Sequence, residues 1–135
     1  MTPDRFLNGY IAAFNRQDLD TVTSFYREDM VLRLGARRIE GRAQIAAWYR
    51  SVFERVRETL AVSWLVIDAH GLAAEVPTRF EALADWPDFI AGPLKRGDSI
   101  EITSFVHYRI APCGLFSEVR TARSPTPPTA EDWSA

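Results

Sequence analysis

The run Ile39–Tyr49, "IEGRAQIAAWY", opens at a glycine and leads into apolar side chains at Ile45, Tyr49 and Val52, spacings of four and three that share one helical face. It predicts an amphipathic helix from Gly41 to about Val56. Two shorter helices are expected before it. Thr2-Pro3-Asp4 has the form of a helix start, with Thr2 free to cap the first N–H groups and Pro3 losing nothing by lacking its own. Phe6, Tyr10 and Phe14 then recur every four residues, with Leu7 and Ile11 beside them, and draw one buried stripe. Asn15 to Asp18 ends that helix. Asp18 or Asp20 can cap a second, in which Val22, Phe25 and Tyr26 form the inward face. After Asp29 the stretch Met30–Leu34 reads as a short strand, followed by a turn at Gly35.

Beyond the third helix the apolar period changes from 3.6 to 2. "TLAVSWLVIDAHG" (59–71) is a β-branched and aromatic run ending at a glycine, and "LAAEVPTRFEALA" (72–84) follows at hairpin distance, so two long antiparallel strands are expected. "DSIEITSFVHYRI" (98–110) and "LFSEVRTAR" (115–123) supply a third and a fourth around the turn "APCG". Residues 85–97 carry Pro87, Gly92, Pro93 and Gly97 and form a loop, yet they also hold Trp86, Phe89 and Ile90. Two readings are open: these side chains tuck against a neighbouring surface, or they cover a pocket as a lid. Residues 125–135 are Pro-rich and expected to be an extended or disordered tail, with Trp133 as a candidate anchor. Helices first and a curled sheet after them is an α+β order, with residues 1–124 as one domain. A curved antiparallel sheet closed by three helices makes a cone, whose open end is the place to look for chemistry.

Composition excludes several classes of function. The chain has 135 residues, 47% of them apolar, enough for one core without staples. With 16 basic against 18 acidic residues and no basic block, it offers nucleic acid no electrostatic footprint. Cys113 stands alone, and neither it nor His70 and His107 has metal-ligand spacing, so no metal or cofactor is expected. Residues 1–20 lack the pattern of a secretory leader and no apolar run approaches a membrane span. A cytoplasmic protein is expected.

The order of elements, together with "FYREDMVLRL" (25–34), "IEGRAQIAAWY" and "VPTRFEAL" (76–83), resembles the nuclear transport factor 2-like superfamily, in particular its ketosteroid isomerase and SnoaL-like polyketide cyclase branch. The resemblance covers about residues 4–124, and its most specific part is "GRAQIAAWY". It implies a cystatin-like α+β barrel with a deep pocket for a hydrophobic ligand, and a homodimer formed through the convex sheet face by residues such as Trp64, Phe105, His107 and Arg109. Carried over residue by residue, Tyr10 matches the isomerase tyrosine that donates a hydrogen bond to the substrate oxyanion, and Tyr26 and Tyr49 match the two tyrosines that back it. The isomerase base falls at Leu34 and the protonated acid at Val106, neither of which can carry a proton. The isomerase mechanism as such is therefore rejected.

Strand alternation assigns the rest. If Val106 points inward, so do Ser104 and Tyr108, and His107 faces out. Val76, Thr78 and Phe80 share the pocket face of their strand, and Arg79 and Glu81 the outer one, where a cross-strand ion-pair role is expected. Val119, Thr121 and Arg123 share inward parity, with Arg123 either at the pocket mouth, facing a ligand carboxylate or enolate, or exposed at the strand end. The late strands lack the aspartates that a related epoxide hydrolase branch uses, and no clear pocket aspartate is found for a cyclase; Asp68 adjoins a turn and is expected in solvent. The expectation is a protein that binds a small hydrophobic, cyclic, carbonyl- or hydroxyl-bearing molecule, with isomerisation, cyclisation or hydration as its chemistry. The alternative is a non-catalytic assembly module resembling a dioxygenase beta subunit.

Overall fold

The three main helices lie before residue 54, with two strands between the second and the third, and after it the chain is mostly sheet, as the change of period predicts. A computed structural model describes residues 1–133. The first helix, α1, is a π-helical segment Arg5–Ile11 that runs on into an α-helical turn Ala12–Asn15. Four residues overshoot an α-turn and undershoot the wider π-turn, so the mixed helix keeps Phe6, Tyr10 and Phe14 on one buried line. Thr2 Oγ1 accepts from Arg5 N–H at the start of this helix (3.1 Å). Asp18 caps the second helix, α2 (Leu19–Ser24), accepting from Thr21 N–H (3.2 Å). The third, α3 (Arg42–Phe53), begins after Gly41, whose φ of 89° is open to glycine at little cost. It ends three residues short of the predicted Val56, which instead starts a strand.

Of the seven strands among the described residues, six follow the order β2-β1-β7-β6-β5-β3: β1 Tyr26–Leu34, β2 Arg37–Glu40, β3 Val56–Leu60, β5 Gly71–Ala82, β6 Ser99–Ile110 and β7 Phe116–Arg123, while β4 (Trp64–Ile67) pairs with β5 beyond the end of β3. Three expectations are corrected. Tyr26 opens β1 rather than closing the second helix, and β1 begins four residues before the predicted Met30. The sheet is mixed, because β1 runs parallel to β7. The expected strand from Thr59 onward is two strands, broken between Leu60 and Trp64.

Pro77 accounts for that break. Its carbonyl accepts from Ala61 N–H (2.8 Å), so its nitrogen faces the same edge, where it has no hydrogen to return. The pairing strand kinks at that point and resumes when Ser63 N–H reaches the Glu75 carbonyl (3.0 Å).

The sheet curls around the helices, and Phe6, Phe14, Tyr26, Met30, Ile45 and Phe116 are the fully buried centre of the core between them. Along β6, Val106 and Tyr108 are buried while Phe105, His107 and Arg109 are exposed. Arg79 faces out and pairs with Glu101 on the neighbouring strand (3.1 Å). Residues 130–133 form a 3-10 turn in which Trp133 Nε1 donates to Glu101 (2.9 Å) and the Arg79 guanidinium lies 4.2 Å from the centre of its indole. Of the tail expected over residues 125–135, positions 134 and 135 lie outside the described residues. No helix of the described residues is long and apolar enough to cross a membrane.

Candidate functional site

The concave side of the sheet, α1, α3 and the loop 85–97 enclose a cavity of about 240 Å³. All of the site residues expected there except Tyr26 line it. Tyr10 and Tyr49 come from the helices, Leu34 from β1, Val76, Thr78 and Phe80 from β5, Ser104, Val106 and Tyr108 from β6, and Thr121 and Arg123 from β7. Leu34 and Val106 stand in the wall as apolar side chains and bring no carboxyl to it. Gly35, Ile90 and Arg123 are exposed as well as lining, which identifies this end as the mouth. Both readings of the loop meet there. Phe89 is buried against Phe80 and Trp86, with ring centres 4.9 and 4.8 Å away, while Ile90 beside it is exposed at the rim. Arg123 donates to the Ala91 carbonyl (3.4 Å) and so ties the rim to β7.

At the closed end the hydroxyls of Tyr10 and Tyr26 are 2.6 Å apart. Tyr26 lies behind the wall and Tyr10 forms part of it. A proton donated by Tyr26 to Tyr10 leaves the Tyr10 proton free to point into the cavity. The tyrosine cluster differs from the one the resemblance implies. Tyr49 packs edge-on against Phe14 (5.3 Å) and makes no hydrogen bond to Tyr10 or Tyr26, whereas Tyr108 packs edge-on against Tyr10 (5.8 Å). Burial, and then the neighbouring phenols, push Tyr10 well above the usual tyrosine value; burial does the same for Tyr26, Tyr49 and Tyr108. These hydroxyls are proton donors at any ordinary pH. Thr78, though buried, uses its hydroxyl on the Val76 carbonyl of its own strand (3.1 Å).

One carboxyl lines this cavity, and it was missed in the sequence. Glu58 lies on β3 opposite Phe80, half-buried, with no hydrogen bond or ion pair to any described residue. Burial raises its carboxyl to about 8. Its charge acts in turn on Tyr26, Tyr49 and Tyr108, the last two of which line the same cavity. A signal for it exists: in "VRETL" (56–60), Val56, Glu58 and Leu60 share strand parity, so an inward Val56 carries Glu58 inward. Asn15 fixes the strand that holds it. The Asn15 amide donates to the Leu60 carbonyl (2.9 Å) and accepts from Leu60 N–H (2.8 Å), pairing with the free edge of β3 as another strand would. Asp68, by contrast, is exposed and accepts from the His70 and Gly71 N–H groups of its turn.

The SnoaL-like domain family model matches residues 7–119. The chain belongs to the SnoaL-like domain family. No match is found among curated protein sequences. Among solved structures, this SnoaL-like chain is similar to a candidate polyketide cyclase from Pseudomonas putida, at 26% identity and a TM-score of 0.77, over 98% of this chain and 96% of that one. An LEH-like epoxide hydrolase of M. tuberculosis is 16% identical with a TM-score of 0.70, covering 89% of this chain and 80% of its own. A ketosteroid isomerase-like protein from Catenulispora acidiphila, solved with trimethylamine, is 11% identical with a TM-score of 0.72 over 98% and 95%. At these identities the last two show the shared fold alone. The fold expected from the sequence, a helix-covered cone of strands, is the fold of this family.

Proposed function

We propose that this SnoaL-like protein binds a small hydrophobic molecule of one or two rings, carrying a carbonyl or hydroxyl oxygen, in the cavity behind loop 85–97. The observation that carries the reading is the Tyr10–Tyr26 hydroxyl pair, 2.6 Å apart, with Tyr10 in the wall of a mainly apolar cavity and Tyr26 behind it. A buried donor with a second hydroxyl behind it is suited to a ligand oxygen and to the negative charge that develops on it. Size narrows the ligand further. A cavity of about 150 Å³ holds one benzene ring, so about 240 Å³ accommodates one or two rings and is small for the four of a steroid. Redox-neutral chemistry at such a ring ketone or phenol, isomerisation, cyclisation or hydration, fits a site whose tyrosines are proton donors. Tyr10 is the oxyanion donor in this reading, Tyr26 supports it, Tyr49 and Tyr108 shape the wall beside it, and Arg123 stands at the mouth.

The homodimer belongs to the same reading. On the convex face the cross-strand rows Trp64–Glu75–Phe105–Ala122 and Val66–Ala73–His107–Arg120 place exposed Trp64, Val66 and Phe105 side by side. Such a patch is what a self-complementary sheet interface requires.

The test is equilibrium binding of 2-naphthol, a two-ring phenol, followed by its fluorescence. Micromolar binding by the wild type, weakened several-fold in Tyr10→Phe, is expected. Absence of binding to the wild type overturns the proposal.

A further inference from the structure

Glu58 has features that a structural carboxylate lacks. Charged groups taken out of water are ordinarily paired, and two partly buried carboxylates of the outer face are: Glu118 with Arg33, Arg109 and Arg120, Glu101 with Arg79. Glu58 alone among the cavity-lining residues carries a carboxyl, and no cation approaches it. Its neighbours by element are Tyr10 of α1, Tyr49 of α3, Tyr26 of β1, Phe80 of β5 and Tyr108 of β6, with Arg123 of β7 at the mouth. Four of those neighbours are phenols that burial keeps neutral. The carboxyl is held in place by backbone: β3 pairs with β5 from Val56 to Leu60 on one side, and Asn15 clamps Leu60 on the other.

We propose that Glu58 is the proton-transferring group of this cavity, acting at the carbon next to the carbonyl of a one- or two-ring ketone whose oxygen accepts from Tyr10. The inference rests on the binding reading above. It supplies the base that Leu34 cannot, from a different strand of the same cavity. In the forward step the carboxylate takes the proton from the α-carbon. The C–H electron pair becomes the carbon–carbon double bond of an enolate, and the carbonyl π pair moves to oxygen, where the Tyr10 hydroxyl hydrogen-bonds it. The carboxyl, open to solvent through the cavity mouth, trades the abstracted proton with water and delivers a solvent proton to the same carbon, or to a conjugated one if the ketone is unsaturated. Nothing is oxidised or reduced and no co-reactant is needed. A carboxyl raised to about 8 by burial is a stronger base, once ionised, than one in water, and its working form accumulates as pH approaches that value.

The experiment uses 1-tetralone, a two-ring ketone, and follows deuterium exchange of its α-hydrogens in D2O by NMR, alongside 2-naphthol binding. At pH 8.5 the wild type is expected to accelerate exchange about 100-fold or more over buffer. The rate should climb with an apparent pKa near 8 and level above it. Glu58→Gln should exchange at the buffer rate while binding 2-naphthol within about threefold of wild type, which also shows that it is folded; Glu58→Asp should recover part of the rate with its own pH profile. If the wild type binds 2-naphthol but leaves exchange at the buffer rate, or if Glu58→Gln exchanges as fast as wild type, the role of Glu58 is overturned and the binding reading stands. If 2-naphthol does not bind the wild type, both fall.

Discussion

Tyr10 and Tyr26 share a 2.6 Å hydrogen bond between hydroxyls, and of the two only Tyr10 reaches the cavity. The two phenylalanine variants should therefore fail differently. Tyr10→Phe removes the donor to the ligand and should weaken 2-naphthol binding about fivefold to tenfold, the worth of one net hydrogen bond of about 1 kcal/mol. Tyr26→Phe keeps that donor but takes away its partner, so its main effect should be on stability, a loss of about 1–2 kcal/mol in urea unfolding with a smaller change in binding.

The Glu58 carboxyl gives a pH dependence whose sign is fixed. Its folded value of about 8 lies above the ordinary 4.5, so the native state holds more protons than the unfolded state between those values. Stability should fall as pH rises through that window and flatten above it. Asp18, Asp29, Asp68 and Glu118 are held below the ordinary carboxyl range by hydrogen bonds and arginine neighbours, so what they contribute is lost only in acid, outside the window. Glu58→Gln should remove the slope and be the more stable protein at pH 8.5, measured by urea unfolding at pH 5, 6.5 and 8.5.

Asn15 makes two hydrogen bonds with the backbone of Leu60 at the free edge of β3. Asn15→Ala should cost about 1–3 kcal/mol, since both backbone groups lose a partner. The local signature is faster amide hydrogen exchange at Leu60, with the amides of β6 unchanged.

Phe105 is 45% exposed, beside Trp64 and Val66 on the convex face. In the dimer reading Phe105→Glu places like charges opposite each other across the two-fold axis. A shift from dimer to monomer in sedimentation equilibrium is expected, with binding of 2-naphthol retained because Phe105 points away from the cavity. A wild-type protein that sediments as a monomer sinks this reading.

Much of the fold was legible because helices and strands write local periods. The stripe of Phe6, Tyr10 and Phe14, the alternation through Val106 and Tyr108, and the glycine before α3 each follow from a few adjacent residues. Boundaries were less legible, and one of them concealed the carboxyl. Reading α3 through to Val56 left Glu58 in the gap between a helix and a strand taken to begin at Thr59, so it was never given a face. Three residues of overshoot removed it from consideration.

The sequence by itself determined which residues are inward on each element, and with them the tyrosine at position 10 and the absence of a carboxyl at positions 34 and 106. Tertiary structure decided what faces what. Placing Tyr108 rather than Tyr49 against Tyr10, pairing β1 with β7 in parallel, and bringing Glu58 to the cavity wall all depend on strand order and register between segments far apart in the chain. Periodicity carries no information about those partners, because a side chain's parity fixes its face and leaves open which distant face it meets.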